Sequence, residues 1–155
     1  MIEIRWFVNH LANPLVRLLL ESPAHGVLSS RLLLITFSGQ KTKRVYTIPV
    51  GYVKGELAIY VVAGGHERKT WWRGFRTGAT VKLHLKGRDV PATADIVSSD
   101  AEPEAVMDAA RAYFRALPSA ARSMGVRMAP DGTPNAQDLR SATEDQIIIR
   151  LRADP

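Results

Sequence analysis

Residues 38–44, SGQKTKR, combine three cations and two hydroxyl side chains with one glycine. The residues concerned are Ser38, Gly39, Lys41, Thr42, Lys43 and Arg44. A turn at the glycine exposes backbone N–H groups, and together with the charged side chains these could bind a phosphate or a carboxylate. The glycine spacing is not that of a P-loop, and no helical pattern follows. A solvated basic turn without a ligand stays open as the alternative interpretation.

A second segment that could bind a ligand is residues 66–76, HERKTWWRGFR. Trp71 and Trp72 are adjacent, so their side chains cannot point the same way on a strand or a helix. We expect one indole to pack in the core and the other to cover a groove or to stack on a flat ring. With the surrounding cations, the segment predicts a wall for a planar, anionic cofactor. A tryptophan-anchored loop with a charged rim is the alternative.

Side-chain catalysis and metal binding have little support in the sequence. There is no cysteine, which excludes a disulfide framework, cysteine-ligated metal and a cysteine nucleophile. The four histidines lie at no metal-ligand spacing, so we predict no metal. His84 alternates with two lysines and is predicted to lie on a solvated face. The serines lack the context of a nucleophile elbow. We therefore expect a bound cofactor to supply any chemistry.

Positive charge is concentrated around the two segments. Residues 39–88 hold eleven Lys and Arg residues and two acidic residues, a net charge of +9, whereas the rest of the chain carries −3. A local positive field attracts an anion such as a phosphate, a carboxylate, a nucleic acid or a lipid headgroup. The composition, 46% apolar and 23% charged, is that of a globular protein.

The elements that must position these segments are mostly strands. Apolar runs and alternation predict six strands, at 30–37, 45–53, 56–63, 79–87, 89–97 and 146–152. Tight turns are expected at Lys54-Gly55 and Gly87-Arg88, and Pro49 indicates an edge strand, a bulge or a place where a ligand approaches. A helix is predicted at 102–117 with Asp100 as its cap, and 118–144 as a loop with some helix.

Hairpin connections of this kind indicate a small antiparallel barrel with helices. We expect a single domain over 1–155, with the barrel core at 30–97 and 145–152 and a helical segment at 100–128. The N-terminal residues 4–21 predict an amphipathic helix, without the long uncharged run of a membrane span or a signal peptide. This helix either packs on the core or lies on a membrane surface. The expected location is cytoplasmic, with membrane association through this helix as the alternative.

Taken in order, LLLITFSGQKTKRVYTIPVGYV, VVAGG and KTWWRGFRTGATVKLHLKGR resemble the deazaflavin-dependent nitroreductase family. That family of flavin/deazaflavin oxidoreductases has a split β-barrel related to the fold of pyridoxamine phosphate oxidase. The resemblance covers roughly residues 30–97. It implies an antiparallel split β-barrel of the α+β class. It also implies a reductase that transfers a hydride from coenzyme F-420 to a quinone, a nitroaromatic or an enone. This coenzyme is a deazaflavin with a phosphate and an oligoglutamate tail; flavin-binding relatives use FMN.

The resemblance also implies the site residues. The basic turn would hold the anionic tail or phosphate, the backbone at Pro49 would lie near the ring, and the glycine and tryptophan segments would complete the site. The implied cofactor-binding residues are Gly39, Lys41, Thr42, Lys43, Arg44, Pro49, Ala63, Gly64, Gly65, Lys69, Thr70, Trp71 and Trp72. A tyrosine hydroxyl could protonate the product, with Tyr46 as the first candidate and Tyr52 and Tyr113 behind it.

Three positions depart from the family pattern. Lys43 stands where the family turn usually has a glycine, and Gly74 where the tryptophan segment usually has an asparagine. Many members have an arginine where this chain has Tyr46. These departures bear on the identity of the cofactor more than on the fold.

Two further classes of function stay open. The chain could be a non-enzymatic carrier of a flavin or deazaflavin with the same fold. It could also bind single-stranded nucleic acid or an anionic membrane, because basic charge beside tryptophan suits stacking on bases. The expected partner of an enzyme is a small-molecule hydride acceptor. A homodimer is usual for split barrels, but some relatives in the deazaflavin branch are monomeric, so the oligomeric state stays open.

Overall fold

The computed structural model describes residues 32–39, 43–63 and 71–154. Its strands are β1 (Leu32–Ser38), β2 (Val45–Gly51), β3 (Val53–Lys54), β4 (Ile59–Val62), β5 (Ala79–Leu85), β6 (Arg88–Val97) and β7 (Ile148–Ala153). Its helices are the 3₁₀ helix Trp71–Phe75 and the α-helices α1 (Pro103–Ala116), α2 (Pro118–Ser123) and α3 (Ala136–Thr143). The predicted N-terminal helix at 4–21 lies outside the described residues.

The chain divides into two compact units. Among the described residues, the first unit contains 32–39, 43–51, 80–93 and 153–154, and the second contains 52–63, 71–79 and 94–152. The strands are hydrogen-bonded in the order β2-β1-β5-β6-β7-β4-β3, and β6 runs from the first unit into the second. With seven strands and three α-helices in the described part of the chain, the predicted α+β class is confirmed.

The first unit is built around the β1–β2 hairpin. The two strands pair antiparallel over their full length, from Leu32 opposite Gly51 to Ser38 opposite Val45. On its other side β1 pairs antiparallel with β5, where Thr36 lies opposite Lys82. Because successive side chains alternate between faces, Leu33 and Ile35 share one face with Phe37, and all three are buried. The alternate positions Leu34, Thr36 and Ser38 lie on the other face.

The second unit packs the helices on a core that includes residues of β4 and β7. These strands pair antiparallel, with Tyr60 opposite Arg150. The buried cluster consists of Tyr60, Val97, Ala105, Val106, Ala109, Ala110, Phe114, Ala121, Val126, Leu139 and Ile148. Helix α1 begins at Pro103, where a missing N–H costs nothing, and ends at Ala116. It ends there because Pro118 disfavours helical backbone at Leu117, whose φ is −133°.

An ion-pair cluster joins β6, β7 and the start of α1. The guanidinium of Arg150 donates to Asp95 through Nε at 3.0 Å and to Glu102 through Nη1 at 2.8 Å. The Arg150 side chain is only 14% exposed, so its charge needs these partners. The hydrogen bond with Asp95 raises the pKa of Arg150 although burial lowers it, and the arginine stays charged.

The structure corrects several predicted boundaries. The run 45–53 is divided into β2 and β3, which adds a seventh strand to the six predicted. Residues 118–144, predicted as a loop with some helix, contain the two short helices α2 and α3. The N-cap of α1 is Glu102, without a capping side chain, and Asp100 instead forms an exposed ion pair with Arg140. The hairpin turn between β5 and β6 is Lys86-Gly87, one residue earlier than predicted.

Strand β4 begins at Ile59 rather than at Glu56, because the preceding N–H groups bind a carboxylate. Asp108 of α1 accepts hydrogen bonds from the N–H of Glu56 at 2.8 Å and of Leu57 at 2.9 Å. The hydroxyl of Tyr60 donates to the same carboxylate at 2.8 Å. These donors are therefore unavailable to a neighbouring strand.

Asp108 is 9% exposed, and its environment favours the charged form. Burial raises the pKa of Asp108, but the hydrogen bonds from Leu57, Glu56 and Tyr60 outweigh it and hold the pKa below its usual value. Burial and the hydrogen bond to Asp108 raise the pKa of Tyr60 far above its usual range. The phenol therefore stays protonated and remains a donor.

Gly55 allows the turn before β4 to approach this carboxylate. Its N–H donates to the carbonyl of Ala58 at 2.9 Å. A Cβ at this position would lie 2.7 Å from Cγ of Asp108 and 2.8 Å from Cε2 of Tyr60, and it would also clash with Oδ2 of Asp108. Only glycine therefore fits between the two side chains. The bounds of the turn predicted at Lys54-Gly55 are wrong, because Lys54 belongs to β3 and pairs with Ile59, so the connection is formed by residues 55–58.

Removing the carboxylate should destabilise the fold. We expect Asp108→Ala to lower the free energy of unfolding by about 3 kcal/mol, because two backbone N–H groups and one hydroxyl lose their acceptor. Urea denaturation followed by circular dichroism measures the change. Asp100→Ala is the matched control, since its ion pair is exposed and should contribute less than about 1 kcal/mol. Equal effects of the two substitutions would contradict the role of Asp108.

The same carboxylate should make stability depend on pH. Because the folded-state pKa of Asp108 is depressed, its contribution is present above the usual carboxyl pKa and is lost as the pH falls through the folded-state value. Asp108→Asn should therefore lose less stability than the wild type between about pH 5 and pH 2. Urea midpoints at several pH values test this, and parallel curves for both proteins would refute it.

Candidate cofactor site

The basic turn connects β1 and β2 in the first unit. The N–H of Gly39 donates to the carbonyl of Arg44 at 2.8 Å, and the N–H of Lys43 donates to the carbonyl of Gly39 at 3.1 Å. Lys43 and Arg44 are both exposed. Lys41 and Thr42 lie outside the described residues. The turn is therefore closed by its own backbone and presents cationic side chains to solvent.

Lys43 adopts a backbone conformation that favours glycine. Its φ is +58°, in the left-handed region where a Cβ atom is crowded. This is the position at which the resembling family usually has a glycine, so the turn geometry explains that preference. This chain keeps a cation there at the cost of local strain.

A cleft of about 430 Å³ opens beside this turn. Ser38 and Val45, the strand residues that flank the turn, are part of its lining. The other lining residues are Thr36, Phe37, Thr80, Val81, Lys82, Asp89 and Pro91. The cleft therefore offers three hydroxyl groups and one ammonium group as donors. The hydroxyl of Thr36 is already hydrogen-bonded to that of Thr47 at 2.9 Å.

A histidine–carboxylate pair lies next to the cleft. Nδ1 of His84 donates to Oδ1 of Asp89 at 2.7 Å, and Nζ of Lys82 lies 3.8 Å from Oδ2 of the same carboxylate. The hydrogen bond from His84 is the main cause that holds the pKa of Asp89 below its usual value. Because its partners are cationic or donate to it, Asp89 adds little net negative charge to the cleft.

The prediction that His84 lies on a solvated face is wrong, since its side chain is only 17% exposed. The structure pairs it with Asp89 through the two-residue turn Lys86-Gly87, whose φ angles are +51° and +77°. Such a turn makes the residues two positions outside it cross-strand neighbours. A turn at Lys86-Gly87 would have predicted the pairing of His84 with Asp89 from the sequence. The turn predicted at Gly87-Arg88 does not make these two residues cross-strand neighbours.

Tyr46 and Pro49 occupy opposite faces of β2, because they are three positions apart. Tyr46 is 40% exposed and stacks on Phe37, with ring centroids 5.7 Å apart. Pro49 lies opposite Leu34, whose other cross-strand neighbour is His84. His84 therefore shares a face of the unit with Pro49, and Tyr46 does not. Tyr52 and Tyr113 belong to the second unit; burial raises the pKa of Tyr52.

The tryptophan segment forms the 3₁₀ helix Trp71–Phe75 in the second unit. Trp72 is 4% exposed, whereas Trp71 is half-buried and contacts Phe75 edge-to-face, with centroids 5.9 Å apart. The guanidinium groups of Arg73 and Arg76 lie 6.0 Å and 5.1 Å from the ring centroid of Trp72. As expected, one indole packs inside the unit and the other remains partly accessible.

The described part of the glycine segment is Ala63, which is buried and whose N–H donates to the carbonyl of Ile147 at 2.9 Å. Gly64, Gly65, Lys69 and Thr70 lie outside the described residues. The structure thus keeps the turn, Tyr46 and Pro49 on one hairpin of the first unit, and Ala63, Trp71 and Trp72 in the second. Which residues contact a ligand stays a prediction.

The donor chemistry of the described residues fits an anionic cofactor. The turn supplies an ammonium and a guanidinium group, and the adjoining cleft supplies hydroxyl groups. Lys82 in the lining of the cleft is paired with Asp89. Charge-assisted hydrogen bonds from such groups suit phosphate and carboxylate oxygens. Among the described residues there is no group of three or more His, Asp or Glu side chains that could hold a metal ion. None of the helices in that part of the chain is long and apolar enough to cross a membrane.

Comparison with known proteins supports the fold. No protein-family model matches this sequence, and no curated protein sequence matches it significantly. A solved F420-H2 dependent reductase (FDR-A) is 17% identical, with 80% of this chain and 94% of that chain covered, at a TM-score of 0.50. A chain described as a domain-swapped dimer is 18% identical, with 89% and 92% covered, at a TM-score of 0.54.

At these identities the likeness shows a shared fold and no more. The fold of this chain is similar to that of the reductase, so the predicted split β-barrel class of fold is confirmed.

Replacing Lys43 by glycine should stabilise the turn. We expect Lys43→Gly to raise the free energy of unfolding by about 1 kcal/mol, because glycine adopts the left-handed region without a Cβ clash. Urea denaturation measures the difference. Lys43→Ala is the control, since it removes the same charge and keeps the Cβ; it should leave the stability almost unchanged. A stabilisation of the same size in Lys43→Ala would attribute the effect to charge and refute the proposed strain.

Proposed function

We propose that this protein is a deazaflavin-dependent reductase that passes a hydride to an electron-poor acceptor such as a quinone, a nitroaromatic or an enone. The observation that carries the proposal is the basic β1–β2 turn beside a hydroxyl-lined cleft, in a fold shared with an F420-H2 dependent reductase. The net charge of +9 on residues 39–88 supports a polyanionic ligand.

The proposed cofactor contacts are those of the sequence analysis. Gly39, Lys41, Thr42, Lys43 and Arg44 would hold the phosphate or the carboxylate tail, and the backbone at Pro49 would lie near the ring. Ala63, Gly64, Gly65, Lys69, Thr70, Trp71 and Trp72 would form the other part of the site. When bound, a deazaflavin supplies the hydride. The protein would orient the ring, exclude water and supply a proton.

Two side chains of the first unit are candidates for the proton donor. Tyr46 is the candidate from the sequence, and its phenol would donate directly. His84 is the candidate from the structure, because it shares a face with Pro49 and has Asp89 as a partner for its Nδ1–H. By accepting the hydrogen bond from Nδ1–H, Asp89 would hold the imidazole of His84 in a fixed orientation.

Removing the cations of the turn should weaken cofactor binding. We expect Lys41→Ala and Arg44→Ala each to weaken binding of coenzyme F-420 by about 1.5–3 kcal/mol, roughly 10- to 150-fold in Kd, through lost charge-assisted hydrogen bonds. Fluorescence titration of the deazaflavin and of FMN in parallel, at one fixed salt concentration, measures this. Arg122→Ala, which removes an exposed cation of α2, is the matched control.

The titration also separates the rival functions. Preference for FMN would assign the protein to the flavin-binding side of the fold, and tight binding without turnover would favour a carrier. Binding of neither cofactor refutes the proposal. Single-stranded nucleic acid and anionic vesicles are then the next ligands to test, because a steep salt dependence marks such binding. A homodimer, suggested by the domain-swapped dimer of similar fold, is tested by sedimentation of the same samples.

Two substitutions should identify the proton donor. If His84 donates, His84→Gln should lower kcat at least tenfold, with the Kd of the cofactor unchanged. Tyr46→Phe should then have less than a twofold effect. The reverse result assigns the role to Tyr46. Normal kcat in both variants would exclude both residues as the donor.

A further inference from the structure

The second unit contains a cavity that the proposed cofactor site does not use. Its volume is about 230 Å³, and it is formed by residues of β4, α1, α3 and β7 and of the connections that follow α2 and α3. It is lined by Val62, Val106, Ala109, Ala110, Tyr113, Phe114, Met124, Leu139, Thr143, Gln146 and Ile148. None of these residues carries a charge at neutral pH. A bound molecule would therefore be uncharged and largely apolar.

Small side chains on α1 leave this space open. Ala109 and Ala110 are both buried, and neither reaches beyond its Cβ. Phe114, Leu139 and Ile148, also buried, supply a large apolar surface around the space. An apolar cavity of about 150 Å³ is enough to bind benzene. The cavity in this protein is larger, so one aromatic ring with a short substituent fits its volume.

Two polar side chains of the lining have no hydrogen-bond partner within the described residues. They are the hydroxyl of Tyr113 and the side-chain amide of Gln146, both on partly exposed residues. Thr143 differs from them, because its hydroxyl donates to the carbonyl of Leu139 at 2.8 Å and lies 2.9 Å from the hydroxyl of Ser99. Each of these two side chains can therefore donate a hydrogen bond to the oxygen of a bound ligand.

We propose that this cavity binds an uncharged, single-ring aromatic carbonyl compound, with the ring among the alanine and leucine side chains and the oxygen bound by Tyr113 or Gln146. An apolar core with a few convergent donors is the usual composition of a small-molecule site. Val62, one of the lining residues, directly precedes Ala63, where the proposed cofactor segment begins. The binding itself does not depend on the proposed function.

Acetophenone and α-methylstyrene are suitable probes, because they have the same shape and differ in C=O against C=CH₂. Each is titrated into the cofactor-free protein, and methyl resonances of the alanines are followed by NMR. We expect acetophenone to shift the resonances of Ala109 and Ala110 saturably. We expect its affinity to exceed that of α-methylstyrene by about tenfold, the value of one hydrogen bond to a free donor.

Variants test the position of the ligand. Ala110→Leu should fill the cavity and abolish the saturable binding of both probes, whereas Ala116→Leu, at an exposed position of the same helix, should leave it unchanged. The double substitution Tyr113→Phe with Gln146→Leu should remove the preference for acetophenone and keep the affinity for α-methylstyrene. If Ala110→Leu does not fold, the affinities of the double variant for the two probes test the position of the ligand.

Three results would overturn the inference: no saturable shift in the wild type, unchanged binding in a folded Ala110→Leu variant, or equal affinities for the two probes. Titration of coenzyme F-420 into the same proteins keeps the two proposals apart. If the wild-type protein binds acetophenone but not coenzyme F-420, the proposed reductase function is refuted and the proposed cavity site is not.

Discussion

The carboxylate of Asp108 joins a helix to the chain segment that leads into β4. It takes the N–H groups of Glu56 and Leu57 and the hydroxyl of Tyr60, three donors from a stretch of five residues. An uncompensated buried charge would be costly, but hydrogen bonds of this number make the charged form the stable one. Gly55 is required because no Cβ fits between Asp108 and Tyr60. The position of α1, and with it the cavity lined by Ala109 and Ala110, depends on this contact.

In the first unit, Lys43 combines a strained backbone conformation with a positive charge. Lys43 adopts a conformation suited to glycine, and the hydrogen bonds of Gly39 close the turn around it. A glycine at this position would make the turn more stable, so the lysine costs stability. That the chain keeps a cation here agrees with a role in binding an anion. The nearby Asp89 does not oppose such a role, because His84 and Lys82 face its carboxylate.

Most strands and the first α-helix could be predicted, because their patterns are local. The alternation of Val81, Leu83 and Lys82 marks β5, and Pro103 and Pro118 bound α1. The start of β4 could not be predicted, since the N–H groups of Glu56 and Leu57 before it bind a side chain 52 and 51 positions away in the sequence. The Arg150 cluster is similar: Asp95 lies 55 positions from Arg150, and no local pattern links them.

The sequence by itself determined the class of fold, the basic turn and the absence of cysteine chemistry, because apolar periodicity, glycine and charge act over a few residues. It also carried the resemblance from which the split β-barrel was expected, and this fold is similar to that of a solved F420-H2 dependent reductase. Only the tertiary structure decided that His84 pairs with Asp89, that Trp72 is buried while Trp71 stays partly accessible, and that a cavity remains beside Ala110. These properties depend on strand register and on packing between distant segments, where one residue of shift changes every neighbour.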